Sequence, residues 1–333
     1  MLILFLFLII FNLFILYNFK KFTKIIGLYD FPNKKLKIHK EKISLTGGTI
    51  IILNILIIVI LDFFFKNGFS DFFLHKKELI IFLFILFLFF ILGFFDDKYD
   101  INPNIKFFLS ILISLIFVTL DQNLLIQNFS LSFYENRIFL ENYSLLFTIF
   151  CIIVLINALN FYDGINAQSL VFFVFAFLYL LIISSRVEFY IPILIILSFL
   201  LILNLKNKLF LGDNGIYILV IILSVALIYE HNIHGNIFYV DEIFFLLLLP
   251  GLDLLRLTIS RLYMKKNPFY GDRNHIHHLL IKKYSLLPTN LILITLAIMP
   301  IIFFDIFKLN FYITLLFFLL IYFLLIFKNI KND

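Results

Sequence analysis

The chain has 333 residues, of which 63% are hydrophobic and only 14% are charged. Charged residues make up about a quarter of a soluble globular protein, so this composition excludes a soluble domain and predicts an integral membrane protein. The formal charge of +6 matters less than the loops in which the basic residues fall. Cys151 is the only cysteine, which excludes an internal disulfide.

The pattern of apolar runs predicts the number of membrane spans. A bilayer core about 30 Å thick requires about 20 helical residues, and on this basis the sequence predicts an all-α polytopic membrane protein of about 11 transmembrane helices. We predict one integral-membrane domain over residues 1–333. The first run lacks a basic leader and a cleavage site, so it is predicted to be a retained span. The runs begin near residues 2, 47, 79, 106, 143, 169, 189, 214, 239, 289 and 310.

Lysines are concentrated in the loop that directly follows the first span. By the positive-inside rule this loop is cytoplasmic, so the N-terminus is expected outside and the C-terminus inside. The loop also contains His39 and would attract an anionic substrate or lipid, although topogenic charge alone is the simpler explanation. Gly47 and Gly48 then open the next span, where small residues allow close packing. Alternation leaves few basic residues outside, namely Lys66, Lys76, Lys77, Arg137, Arg186 and Lys308.

Two adjacent carboxylates, Asp96 and Asp97, end the apolar run that begins near Leu79, within the stretch ILGFFDDKYDINPNIK. Lys106 follows one short loop later. A charge inside the hydrocarbon costs roughly 2.5–3.5 kcal/mol, so acids at this edge usually mark a substrate, ion or metal site. A solvated helix end is the alternative interpretation.

The longest external loop, residues 121–142, has an alternating pattern around Phe129 to Phe139. Such alternation predicts a short β-hairpin.

Two further polar clusters precede the C-terminal third of the chain. In NALNFYDGINA, residues Asn157, Asn160 and Asp163 recur every three positions and would share a helical face, offering oxygen ligands to a hard cation or a hydroxylated substrate. An asparagine at a helix end can equally serve as a cap. In KNKLFLGDNG, Asp213 follows Gly212 and could approach a phosphate-bound cation, although the tetrapeptide is also a common turn.

The last cluster combines a predicted ion pair with three histidines. Asp253 and Arg256 are three residues apart and could pair on one helix face. Arg273 precedes the histidine motif; spacing leaves zinc ligation and binding of a nucleotide phosphate and base equally open. The histidines are His275, His277 and His278.

The alternation of spans places all five polar clusters on the cytoplasmic face. Acids that hold a divalent ion and bases that hold phosphates are what a site for a magnesium-bound pyrophosphate requires.

In this order, the motifs resemble those of the polyprenyl-phosphate N-acetylhexosamine-1-phosphate transferases, bacterial glycosyltransferase family 4, over nearly the full chain. The segment DRNHIHHLL is more similar to the N-acetylglucosamine-1-phosphate transferases of O-antigen, enterobacterial common antigen and teichoic acid assembly than to the phospho-MurNAc-pentapeptide transferases, which are the alternative within the family. The resemblance implies transfer of a sugar 1-phosphate from a UDP-sugar to undecaprenyl phosphate, with release of UMP. This would be the first membrane step of cell-envelope polysaccharide assembly, in the bacterial inner membrane.

The resemblance also implies residue roles. The expected cofactor is Mg²⁺, with Mn²⁺ as a substitute, and the expected partners are a UDP-sugar, a polyprenyl phosphate lipid and the membrane, with a homodimer and without nucleic acid. The implied catalytic residues are Asp96, Asp97 and Asp163, and the implied metal ligands are Asp213 and Asn160. The expected substrate contacts are Lys106, Asn157, His39, Arg273, His275, His277 and His278.

Departures from the family pattern concern sugar choice more than chemistry. Asn166 stands where many members have a second aspartate, and Ile216 replaces a serine after the glycine-rich turn. The rival class is a transporter or flippase of anionic lipids or sugars, which would require charges buried in mid-span from several helices. Asp62 and Asp253 are the residues that favour this rival. A CDP-alcohol phosphotransferase would require a dense run of Asp, Gly, Ala and Arg that the sequence lacks.

Overall fold

The computed structural model describes residues 1–32, 41–237, 239–267 and 274–330. His39 and Arg273, both predicted substrate contacts, lie outside these ranges. Within them the chain is almost entirely helical. The α-helices in chain order are α1 (Leu2–Tyr17), α2 (Phe19–Ile26), α3 (Gly47–Phe65), α4 (Lys76–Tyr99), α5 (Pro103–Leu120), α6 (Ser144–Tyr162), α7 (Gln168–Ser184), α8 (Val187–Leu205), α9 (Gly212–Asn232), α10 (Val240–Leu246), α11 (Leu248–Tyr263), α12 (Ile276–Ile281), α13 (Leu286–Ile301) and α14 (Phe311–Ile330).

The described residues form two short antiparallel strand pairs. Strands β1 (Tyr29–Asp30) and β2 (Ile43–Ser44) pair before α3. Strands β3 (Asn128–Leu131) and β4 (Tyr134–Phe139) form a hairpin. This hairpin confirms the prediction made from the alternating pattern around Phe129 to Phe139.

The long apolar helices make this a multi-pass membrane protein. Eight helices in the described part of the chain are long and apolar enough to cross a membrane, or ten if each of two bent pairs counts as one span. The pairs are α1 with α2, bent by 80°, and α10 with α11, bent by 72°. Each of the 11 predicted spans begins close to the first residue of a helix. The predicted span that is not among these ten corresponds to α7, an apolar helix of 17 residues. The predicted count, orientation and cytoplasmic active-site face stay predictions.

The helices are grouped in two compact units, each built from two separate stretches of chain. Unit 1 comprises residues 1–123 and 173–226, and unit 2 comprises residues 124–172 and 227–333.

Helices in lipid have no hydrophobic drive to associate, so small residues and polar pairs hold them together. In unit 1, the Asn12 amide of α1 donates to Asn54 Oδ1 of α3 at 2.7 Å, and the Asn54 amide donates back to Asn12 Oδ1 at 3.2 Å. Both side chains are buried. This reciprocal pair fixes the register of α1 against α3.

Unit 2 secures its hairpin through polar contacts. The backbone N–H of Ser132, in the hairpin turn, donates to Asp241 Oδ2 at 2.5 Å. The His231 ring contacts the Asn128 carbonyl at 3.1 Å, and Phe133 packs against Phe311 at the start of α14. The hairpin is therefore an integral part of unit 2.

Candidate functional site

Unit 1 brings together the first cluster of acids and the aspartate of the glycine-rich turn. Asp96 and Asp97 lie in the last turn of α4, Lys106 in the first turn of α5 and Asp213 in the first turn of α9. The Lys106 ammonium lies 2.6 Å from Asp96 Oδ2 and 2.8 Å from Asp213 Oδ2. We call Asp96, Asp97, Lys106 and Asp213 the acidic centre. One ammonium thus joins two carboxylates that are distant in sequence.

Asp97 holds the turn that carries Asp213. Its carboxylate accepts hydrogen bonds from the backbone N–H of Asp213 at 2.8 Å and of Asn214 at 3.1 Å. The Asn214 side-chain amide also donates to Asp97 and to the Leu45 carbonyl. Sequence reasoning missed Asn214, because an Asp-Asn pair between glycines reads as an ordinary turn.

Two glycines let the turn lie directly against neighbouring helices. A Cβ on Gly93 of α4 would lie 2.4 Å from Asn214 Cα, and one on Gly48 of α3 would lie 2.0 Å from Asn214 Oδ1. Real Cβ atoms do not come this close. Small residues at the start of α3 were predicted to allow close packing, and the structure confirms this at Gly48.

A magnesium ion at the acidic centre stays a prediction. Among the described residues, no group of three or more His, Cys, Asp and Glu side chains is placed to hold a metal ion by itself. Magnesium does not need one, since it is usually bound by one or two carboxylates, several waters and the phosphates of a substrate. The Lys106 ammonium already occupies a cation position between Asp96 and Asp213. A carboxylate oxygen of Asp213 is the ligand that this arrangement offers best.

Unit 2 contains a second centre, in which one carboxylate is surrounded by donors. Asp253 of α11 accepts hydrogen bonds from Arg256 at 2.7 Å and from the Tyr322 hydroxyl at 3.0 Å. Its other oxygen lies 2.8 Å from His275 Nδ1. The predicted pairing of Asp253 with Arg256 is therefore confirmed. We call Asp253, Arg256, His275, His277 and Tyr322 the histidine centre.

His275 is held in a defined orientation within this centre. With Nδ1 directed to Asp253, Nε2 lies 3.4 Å from the Arg261 guanidinium. The Arg261 guanidinium also lies over the ring of Phe161, 5.2 Å from its centroid. A carboxylate partner on one ring nitrogen fixes the tautomer of the imidazole. The Nε2 atom of His275 is thereby prepared to accept a hydrogen bond.

His277 lies directly against the backbone after α6. Its ring stacks on that of His275, with centroids 5.4 Å apart, and a Cβ on Gly164 would lie 1.8 Å from its Nε2. Its Nδ1 is buried and has no hydrogen-bond partner among the described residues. Burial and the neighbouring His278 and His275 hold the pKa of His277 well below its usual value. His277 is therefore a neutral imidazole.

The asparagines of α6 lie near the end of that helix. The Asn157 amide donates to the Ile153 carbonyl of its own helix at 2.8 Å. Asn160 is half-buried in the last turn, and Asp163 is the residue that ends the helix and accepts a hydrogen bond from Ser169. The three residues thus lie in or just after the last two turns of α6, and the helical face that their spacing predicts them to share stays a prediction.

The structure brings Asp96, Asp97, Lys106 and Asp213 together in unit 1, and it brings His275 and His277 together in unit 2. Tyr322, which the sequence analysis missed, belongs to an apolar helix where only its burial identifies it; its side chain is 1% exposed. The predicted meeting of all five polar clusters at one membrane face stays a prediction, as do the catalytic and ligand roles of individual residues.

Comparison with known proteins points to one family. The model of glycosyl transferase family 4 matches residues 79–231, a range that includes the whole acidic centre and α6. The relatives are named undecaprenyl-phosphate alpha-N-acetylglucosaminyl 1-phosphate transferase. The one from Escherichia coli O157:H7 is 26% identical, over 86% of this chain and 78% of the relative. The one from Thermotoga maritima is 27% identical, over 84% of this chain and 81% of the relative.

The matches to the relatives cover most of the chain, and the acidic centre joins two of the five predicted polar clusters. The chain is therefore similar to glycosyl transferase family 4 over residues 79–231 and is a transferase.

Proposed function

We propose that the chain transfers N-acetylhexosamine 1-phosphate from a UDP-sugar to undecaprenyl phosphate and releases UMP. The single observation that carries the proposal is the acidic centre, in which Lys106 joins Asp96 to Asp213 at the ends of apolar helices. A water-soluble donor and a lipid acceptor can meet only at such a membrane edge. The relatives' names supply the substrate class.

In the proposed reaction, an oxygen of the lipid phosphate attacks the phosphorus that bears the sugar. A new P–O bond forms, the bond from that phosphorus to the bridging oxygen breaks, and the oxygen leaves with UMP. A bound magnesium ion would supply neutralisation of both phosphates. Asp213 would hold the ion, Asn160 stays a predicted ligand, and Lys106 would donate hydrogen bonds to a phosphate oxygen.

The two adjacent aspartates have different proposed roles. Asp96 contacts the Lys106 ammonium and would accept the proton of the lipid phosphate or orient it. Asp97 is engaged by the backbone of residues 213 and 214, so we propose that it positions Asp213. Asp97 would thus act through Asp213 and not on the substrate itself.

The histidine centre is proposed to bind the nucleotide part of the donor. Arg256 and Arg261 supply hydrogen-bond donors, which suit phosphate groups, and His275 orients Arg261 beside them. Asn157, Asp163, His277 and His278 are proposed as further contacts of the donor. A zinc role is less favoured because Asp253 and Arg261 already engage both ring nitrogens of His275.

The transporter alternative depended on Asp62 and Asp253, and both carboxylates have local structural partners. Asp62 accepts hydrogen bonds from the backbone N–H groups of Gly68, Phe69 and Ser70, at 2.8–3.3 Å. Asp253 is the acceptor at the middle of the histidine centre. Because both carboxylates are already hydrogen-bonded within the protein, neither requires a transported ion as its partner.

The test is an assay of purified protein in lipid vesicles with a UDP-sugar that carries radiolabel on the sugar. We expect label to enter the butanol phase, with one UMP released per labelled lipid, only when undecaprenyl phosphate is present. Parallel reactions with UDP-N-acetylglucosamine, UDP-N-acetylgalactosamine and UDP-MurNAc-pentapeptide assign the sugar. Release of UDP in place of UMP, or label in butanol without acceptor lipid, would contradict the proposal.

A further inference from the structure

Unit 1 contains a cavity at the opposite end of α3 from the acidic centre. The first residues of α3, at Gly48, lie against Asn214 of the acidic turn, whereas the cavity is lined by Lys66, just after the last residue of α3. The 19 residues of α3 extend about 28 Å at 1.5 Å per residue. This length is close to the thickness of the hydrocarbon core, so a membrane-spanning α3 would place the cavity at the other membrane surface.

The cavity combines charges of both signs with an aromatic wall. Its volume is about 250 Å³, and Phe72 and Phe189, whose rings stack with centroids 3.8 Å apart, line its wall. The Arg186 guanidinium lies 6.0 Å from the Phe72 centroid, a position in which the ring attracts the cation. The charged residues that line the cavity are Lys66, Asp71, Arg186 and Glu188.

Hydrogen bonds within unit 1 hold the wall of the cavity. The buried Asp62 carboxylate accepts three backbone N–H groups of residues 68–70. The Asn67 amide donates to the Leu61 carbonyl at 3.2 Å, and the terminal ammonium of Met1 donates to Asn67 Oδ1 at 2.9 Å. The loop that carries Lys66 and Asp71 is thus fixed before any ligand arrives. Pre-organisation of this kind reduces the cost of binding.

The surroundings favour a lipid over a soluble ligand. The last residues of α3, Phe63, Phe64 and Phe65, are 78%, 70% and 52% exposed, and Lys66 follows them directly. An apolar surface that ends in a cation is what a phospholipid meets where its acyl chains give way to its headgroup.

We propose that this cavity binds the phosphoethanolamine headgroup of a membrane phospholipid. Lys66 and Arg186 would bind the phosphate, because ammonium and guanidinium groups form charge-assisted hydrogen bonds with phosphate oxygens. Asp71 and Glu188 would accept hydrogen bonds from the primary ammonium. The quaternary ammonium of phosphatidylcholine has no N–H to donate, and the headgroup of phosphatidylglycerol has no cation, so two cations beside two carboxylates favour the zwitterion with a primary ammonium.

The test measures lipid retained by the full chain. Protein in nanodiscs of equal parts phosphatidylethanolamine, phosphatidylcholine and phosphatidylglycerol is released and analysed by native mass spectrometry. We expect retained phosphatidylethanolamine, with about tenfold weaker retention for Arg186→Gln and a loss of preference over phosphatidylcholine for Glu188→Gln. The matched control is Lys77→Gln, an exposed lysine outside the cavity, which should retain lipid like the wild type.

Two further measurements test the proposal, namely the transfer activity of each variant and competition by soluble phosphoethanolamine. Sugar-phosphate transfer by each variant reports folding, because none of these residues belongs to either polar centre; if Arg186→Gln is inactive, the conservative Glu188→Gln decides. Soluble phosphoethanolamine distinguishes the source of the headgroup: failure to displace the lipid at millimolar concentration supports a lipid site. Displacement, equal retention of the three lipids, or unchanged retention by both cavity variants would overturn the proposal.

Discussion

In the acidic centre of unit 1 an ammonium lies between two carboxylates, Asp96 and Asp213, whereas in the histidine centre of unit 2 a carboxylate lies among Arg256, His275 and Tyr322. Three carboxylates against one ammonium give the first centre a surplus of negative charge, which suits a cation. The second centre has a surplus of donors, which suits an anionic ligand. Opposite arrangements of the same few groups thus provide complementary binding properties within one chain.

Because the acidic centre has more carboxylates than cations, we expect the largest loss of transfer rate when Asp213 loses its charge. Asp213→Asn keeps the side-chain shape and removes the charge proposed to bind magnesium, so the transfer rate should fall by roughly a thousandfold. The rate is measured as label transferred to lipid per amount of membrane protein.

Asp100→Asn is the matched control for this substitution. Asp100 is an exposed residue just after α4 with a φ of +53°, a conformation that asparagine also tolerates. We expect its rate to equal that of the wild type. Near-normal transfer by Asp213→Asn would exclude a metal role for this residue.

Removing the ammonium from the acidic centre should separate catalysis from metal binding. In Lys106→Gln, Asp96 and Asp213 lose the cation between them, so the centre attracts an external cation more strongly. We expect kcat to fall by about a hundredfold through loss of a charge-assisted phosphate contact, while half-maximal activity requires less magnesium.

The corresponding change in the other centre is Arg256→Gln. Its magnesium requirement should equal that of the wild type, because Arg256 belongs to the donor-rich centre. A lowered requirement in Arg256→Gln, or a raised one in Lys106→Gln, would show that the contrast between the two centres is wrong.

The sequence predicts the acidic centre better than the histidine centre, and the reason is physical. Asp96, Asp97 and Lys106 stand out at the ends of apolar helices, so the cost of desolvating a charge makes them candidates from the sequence alone. Tyr322 has an amphipathic side chain that an apolar helix accommodates without a visible break. Its contact with Asp253 joins residues 69 positions apart, and no local pattern reports such a pairing.

Glycine substitutions test how tightly each centre is packed. Gly93→Ala would place a methyl group 2.4 Å from the Asn214 backbone, which cannot move away, so we expect a loss of about 1–3 kcal/mol in stability. Gly164→Ala meets the His277 ring, a side chain that can shift, and should cost less. The free energy of unfolding is compared by denaturation in detergent.

Gly251→Ala is the control for both glycine variants. Gly251 lies within α11, and a Cβ there would meet nothing within 4 Å. Alanine is favoured over glycine in a helix by about 1 kcal/mol, so this variant should be as stable as the wild type or more so. Equal destabilisation by all three variants would contradict the packing argument.

Tyr322→Phe should weaken binding of the UDP-sugar and leave the magnesium requirement unchanged. The variant removes the hydroxyl that donates to Asp253 and accepts from Arg256 Nε at 2.8 Å. We expect a roughly fivefold increase in the KM for the UDP-sugar, because a lost hydrogen bond of about 1 kcal/mol loosens His275. Tyr312→Phe, at an exposed position of the same helix, should leave KM unchanged. A change in the magnesium requirement of Tyr322→Phe would assign this tyrosine to the other centre.

The smallest effect is the acid sensitivity contributed by His277. Burial and two neighbouring histidines lower its pKa in the folded protein, whereas in the unfolded chain the pKa is about 6.5. Below that value the unfolded chain binds a proton that the folded ring refuses, so stability is full above about pH 6.5 and decreases as pH falls, by at most about 1.4 kcal/mol per pH unit. The unpartnered Nδ1 of His277 explains the direction, because a protonated ring would bury a second N–H without an acceptor. His277→Gln should therefore lose less of its melting temperature than the wild type between pH 7.5 and 5.5, whereas an identical loss in both proteins would mean that another group governs the acid response.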